Sequence, residues 1–144
     1  MHAYPDLSAF AIALVALFFK TTLTSAVQVI SRVKAGTFLI PEDAALMRKR
    51  PVAAEAAFVQ RCANVWRNDV ENLPLFLALA LTYVLLGAPL ESAQVLFAVY
   101  VVLRYAHTAV YLCGLQPWRA MLYLSGMAVC WVIAARIVVQ ALAG

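Results

Sequence analysis

The chain is expected to be an all-α membrane protein: one domain over residues 1–144, built as an up-down-up-down bundle of four transmembrane helices. Three observations predict this. Hydrophobic residues make up 65% of the sequence and charged ones only 12%, where an average soluble domain carries about 25% charged residues. The charges gather between long apolar runs, which is how a multi-span protein is patterned. The connections between the runs are short, so consecutive helices should lie antiparallel as neighbours.

The first helix is expected over about 6–34, with Asp6 as N-cap directly after Pro5. The run LSAFAIALVALFF is followed by Lys20, a half rich in Thr, Ser and Gln, and a basic end at Arg32 and Lys34. Lys20, near the middle, must either bond another helix or snorkel. A polar connection from Gly36 to Pro51 carries the basic triplet Arg48, Lys49, Arg50. The second helix is expected over about 54–86, ending before Gly87 and Pro89, with Pro74 loosening its ladder. The third spans about 92–113, and the turn GLQP separates it from the fourth, about 118–143.

Several classes drop out on composition. The N-terminus MHAYPDLSAF lacks a basic region, and its apolar run continues too far for a cleavable signal peptide. The net charge of +4 is not a soluble basic patch with interleaved aromatics, so no nucleic-acid partner is expected. Cys62, Cys113 and Cys130 show no CxxC or Cys/His spacing, which argues against a metal site or a disulfide framework. They read as small, polarisable core residues.

Loop charge sets the orientation. Arg32, Lys34, Arg48, Lys49 and Arg50 flank or fill the first connection, whereas the second holds only Glu91. The positive-inside rule puts the first connection and the GLQP turn in the cytoplasm and both termini on the opposite side.

The stretch RCANVWRNDVE, Arg61 to Glu71, runs straight into fourteen uncharged residues. Arg67 and Glu71 are four apart, on one helical face with Asn64 and Asn68. Taken alone, the block reads equally well as a solvated helix extension, its ion pair worth little, or as a polar site at membrane depth, where ionisable groups are costly and usually functional. The other helices decide between the two. In the topology above, Arg104, His107 and Tyr111 form an i, i+3, i+7 stripe in the cytoplasmic half of the third helix. Glu71 and Arg104 then each lie on the order of 20 Å from the outer ends, so they can meet as a buried pair. Arg119 and Tyr123 open the fourth helix, and Arg32 closes the first, at the same level.

The converging set is Arg32, Arg67, Asn68, Glu71, Arg104, His107, Tyr111, Arg119 and Tyr123. Its arginine excess asks for a polyanionic ligand, because guanidinium forks bind carboxylates bidentately. Singly, each member has a plainer reading: His107 as a satisfied core histidine, the tyrosines as interfacial belt residues, Arg119 as a membrane-edge charge.

PEDA at Pro41–Ala44, RCxxxxRNDxEN at Arg61–Asn72, RxxHTxxYL at Arg104–Leu112 and QPxR at Gln116–Arg119 stand in the order and spacing of one family. The chain resembles the membrane-associated proteins in eicosanoid and glutathione metabolism, in the branch holding microsomal glutathione transferase and microsomal prostaglandin E synthase. The resemblance covers essentially all four helices. It implies a homotrimer that binds glutathione in the cytoplasmic half of the bundle, between neighbouring subunits. By matching position, Arg32, Arg67, Asn68, Glu71, His107, Tyr111, Arg119 and Tyr123 would hold glutathione, and Arg104 would brace Glu71. Arg119 would stabilise the thiolate, a role its chemistry suits, since a nearby guanidinium lowers a thiol pKa from about 8.5.

Asp43, within PEDA, matches an acidic residue proposed to act in prostaglandin isomerisation and is kept as a second catalytic candidate. Departures from the synthase pattern lean away from that reaction. Ala120 stands where the synthase has a serine, Thr22 where it has an aromatic, and Asn72 leans towards the transferase. The expected function is glutathione transfer to a lipophilic electrophile from the bilayer, or reduction of a lipid peroxide. A prostaglandin E synthase-like isomerase and a non-enzymatic lipid-binding scaffold of the same superfamily are the alternatives. A channel would carry polar residues along a whole pore, and here the outer halves of the last three helices are almost wholly apolar.

Overall fold

The computed structural model describes residues 4–143. Residues 1–3 and 144, which belong to the single-domain assignment and include both termini, lie outside the described residues. Five helices are present: α1 Leu7–Ala35, α2 Pro41–Leu46, α3 Ala57–Leu85, α4 Leu90–Cys113 and α5 Trp118–Ala143. The four long ones match the expected helices to within three residues at each end. The short α2 is the addition. It forms inside the expected polar connection, where Pro41 occupies its first turn with Glu42 and Asp43 behind it, residues suited to a helix N-terminus.

Each long helix carries a buried stripe at three- and four-residue spacing. On α1 it is Ala9, Ala13, Leu17, Lys20, Thr24, and on α4 Ala93, Phe97, Tyr100, Arg104, His107. On α3 it runs Val59, Cys62, Val65, Asp69, Asn72, Phe76, Ala80, Tyr83. These spacings hold one face towards the neighbours. The core is densest where Phe76 stacks on Tyr100 at 3.7 Å between ring centroids and meets Phe97 edge-on at 5.8 Å.

Hydrogen bonds between helices give the relative directions. Arg61 donates to the carbonyl of Leu112 at one end of α3 and α4, and Tyr83 bonds Ser92 at the other, so these two run antiparallel. Tyr105 of α4 donates to the carbonyl of Ala16 of α1. The helices α3 and α4 touch each other and both flanking helices, while α1 and α5 do not meet. Asp6 stands in the N-cap position of α1, but its side chain makes no capping hydrogen bond; it is buried instead.

Helices α1, α4 and α5 are long and apolar enough to cross a membrane. At 29 residues α3 has the length, but Arg61, Arg67, Asp69 and Glu71 in its first half make it less apolar. Gly36 and Gly114 close α1 and α4 with φ of +64° and +73°, the left-handed conformation that glycine adopts most readily.

Candidate ligand-binding site

The buried stripes bring three charged side chains together. Asp69 of α3 accepts from Lys20 Nζ of α1 at 2.5 Å and from Arg104 Nη2 of α4 at 2.8 Å. The three side chains are 1%, 2% and 3% exposed. Arg104 Nη2 also donates to Asn68 Oδ1 at 2.6 Å. One carboxylate thus ties three helices, and its partners supply the pairing that a buried charge requires.

This corrects the expected Arg104–Glu71 pair. Glu71 is exposed and Arg104 is committed to Asp69 and Asn68. The physical reason is helical phase. Asp69 falls on the stripe Val65, Asp69, Phe76, whereas Glu71, two residues on, is rotated about 200° away from it. Lys20, whose partner the sequence left open, occupies the matching place on the α1 stripe. The signal that reveals both residues is a charged side chain standing in register with the apolar positions. The i, i+4 relation of Arg67 and Glu71 is instead a surface relation.

A cavity of about 390 Å³ opens beside this cluster, within the roughly 300–1,000 Å³ usual for small-ligand sites. Asn68, His107, Tyr111, Arg119 and Tyr123 line it, with Ala120 and Leu124 completing the wall. His107 is buried, its ring centroid 5.7 Å from that of Tyr111 and 6.4 Å from that of Tyr123. The Arg119 guanidinium lies 4.6 Å from the Tyr111 ring centroid, a cation–π contact. With its amide oxygen turned towards the guanidinium, Gln116 accepts from Arg119 Nη2 at 2.6 Å and Nε at 3.0 Å. Ring and amide together orient Arg119 without a carboxylate partner among the described residues. Its charge remains available to an anion.

Five of the sequence-derived residues therefore share one cavity: Asn68, His107, Tyr111, Arg119 and Tyr123. The others do not reach it within one chain. Arg67 and Glu71 are exposed on another face of α3. Arg32 is ion-paired to Glu55, and Asp43 is exposed on α2. Among the described residues no group of three or more His, Cys, Asp or Glu could hold a metal, and the three cysteines are unpaired.

The fold and cavity define a helical protein with three helices long and apolar enough to cross a membrane and a cavity walled by an arginine, a histidine and two tyrosines. The profile of the MAPEG family matches residues 10–139, and the chain belongs to that family. It is similar to human prostaglandin E synthase, 31% identical over 138 residues that cover 95% of this chain and 91% of that protein. The horse prostaglandin E synthase is 34% identical over 111 residues, 76% of this chain and 72% of that one. Mouse microsomal glutathione S-transferase 1 is 32% identical over 115 residues, 76% of this chain and 74% of that protein.

Proposed function

We propose that the chain is a membrane-embedded glutathione transferase that holds the glutathione thiol as thiolate for attack on a lipophilic electrophile, with reduction of lipid peroxides as a related activity. The observation that carries the reading is Arg119: a guanidinium held by an aromatic face and an amide, ion-paired to no carboxylate among the described residues, at the edge of a cavity with a buried histidine. A thiolate placed there gains a charge-assisted partner, stronger than a neutral hydrogen bond. Membership of the MAPEG family and the similarity to a microsomal glutathione S-transferase support the same reading.

Glutathione carries two carboxylates, an amine and a thiol, more anionic groups than one cavity with one free arginine satisfies. Arg67 and Glu71 are exposed on α3, in a sequence that runs directly into an apolar span, so a second copy of the chain is the natural cover for them. A homotrimer would complete each site with residues of a neighbour: Arg32, Arg67 and Glu71 on the peptide, Tyr111, Tyr123 and His107 around it. In this arrangement α3 is the fourth span. The 36–56 connection and the 114–117 turn lie in the cytoplasm, and both termini lie on the other side. Asp43 borders that face and is assigned to the electrophile side.

The test is Arg119→Leu. Thiolate absorbance in the ultraviolet is followed against pH, beside turnover of glutathione with an aryl halide. The expected outcome is a thiol that ionises only at higher pH and a strong loss of conjugation near neutrality, with weakened binding retained. An unchanged titration with normal turnover would remove the catalytic assignment. An isomerase acting on a prostaglandin endoperoxide is the second reading, favoured by the coverage of the human synthase. Ala120 bears no hydroxyl beside Arg119, which counts against it, and turnover of the endoperoxide exceeding that of the aryl halide would reverse the order.

A further inference from the structure

Asp69 carries two cations where one would neutralise it. Arg104 alone would pair the carboxylate and still reach Asn68. Lys20 is thus in excess of what pairing requires, although an ammonium in the middle of an apolar helix is costly to keep. Among the described residues no second carboxylate forms an ion pair with Lys20 or Arg104. The cluster therefore stands at one net positive charge. Its position relative to the cavity is direct: Arg104 Nη2 bonds Asn68, which lines the cavity, and His107 follows Arg104 by one turn of α4 on the same stripe. The imidazole Nδ1 and Arg104 Nε, both buried, have no hydrogen-bond partner among the described residues.

We infer that Lys20 is a positioning residue that sets the charge of this site: it leaves the Lys20–Asp69–Arg104 cluster singly positive behind the cavity, so that the site selects an anionic ligand over its esterified form. The inference rests on the glutathione reading of the same cavity. Lys20 touches neither ligand nor reacting atoms. It acts by offsetting Asp69, which frees the charge of Arg104 to be felt through Asn68 and His107. A single charge about 10 Å from a ligand charge, at an effective dielectric of about 20, changes affinity by about tenfold or more.

The experiment uses the full chain in lipid nanodiscs and four proteins whose clusters differ in net charge. Wild type and Lys20→Arg hold one positive charge. Lys20→Met is neutral, and Lys20→Met with Asp69→Asn returns to one positive charge while keeping an acceptor oxygen for Arg104. Each is titrated calorimetrically with glutathione, its diester and glutarate, a dicarboxylate without the peptide. The expected result is that Lys20→Met binds glutathione about tenfold more weakly, while the diester, a cation through its ammonium, binds no more weakly than before. Lys20→Arg and the double variant should recover the preference. A Lys20→Met protein that keeps the wild-type preference would overturn the inference. So would a double variant no better than Lys20→Met, which would make the lysine a structural strut. If Lys20→Met fails to assemble, the double variant, free of the buried carboxylate, still gives the comparison with wild type. Failure of the glutathione reading shows separately, as wild-type protein that binds no glutathione. Glutarate affinity, tracking the net charge or ignoring it, then decides the inference.

Discussion

Replacing Asp69 by leucine should unfold the centre of the molecule. The substitution leaves Lys20 and Arg104, 2% and 3% exposed, facing each other without a counter-charge. Removing one partner of a buried ion pair costs about 3–5 kcal/mol, and here two cations lose the same partner. At about 2–4 °C per kcal/mol for a chain of this size, the unfolding midpoint should fall by roughly 6–20 °C. The paired control is Glu71→Gln, which removes a carboxylate two residues away that is exposed and ion-paired to nothing among the described residues. It should shift the chain's own stability by less than about 1 kcal/mol. The assay is thermal unfolding in detergent, followed by fluorescence and by size exclusion after heating. Equal midpoints for Asp69→Leu and wild type would refute the buried network. A larger loss in Glu71→Gln than in Asp69→Leu would restore Glu71 as the partner of Arg104.

Two further perturbations test the surroundings of the site. Gly114→Ala places a methyl 2.9 Å from Arg61 Nη1 at a φ of +73°; it should cost about 1 kcal/mol or more and displace the Arg61 bond to the Leu112 carbonyl. A wild-type midpoint in the same melt would contradict it. Glu55→Gln removes the charge that occupies Arg32, and glutathione titration should show tighter binding as the arginine is released. Equal or weaker binding would mean that Arg32 needs Glu55 in place to serve the ligand.

The helices were legible in the sequence because apolar run length and breaker residues are local signals. Pro89, Gly114 and Pro117 mark boundaries that the structure keeps to within a residue or two. The convergence of Asn68, His107, Tyr111, Arg119 and Tyr123 was legible too, since antiparallel helices joined by short turns place residues by simple counting. Depth along the bundle points to Glu71 as the partner of Arg104, but the face that α3 turns to α1 and α4 fixes the partner as Asp69. The small helix Pro41–Leu46 escaped because six residues carry too little periodicity, and only the proline and the two acids signal it. Arg32 stands apart from the cavity, paired to Glu55, because level along the bundle says nothing of angular position around it.

The lysine at the midpoint of α1 also bears on how the protein is made. Asp69 follows it by 49 residues and Arg104 by 84, so Lys20 emerges from the ribosome ahead of both of its partners. A lone lysine at the centre of an inserting helix opposes partition into lipid by about 2.5–3.5 kcal/mol, against which the run LSAFAIALVALFF must work. Pairing with Asp69 of α3 offsets that cost only once both helices are in place.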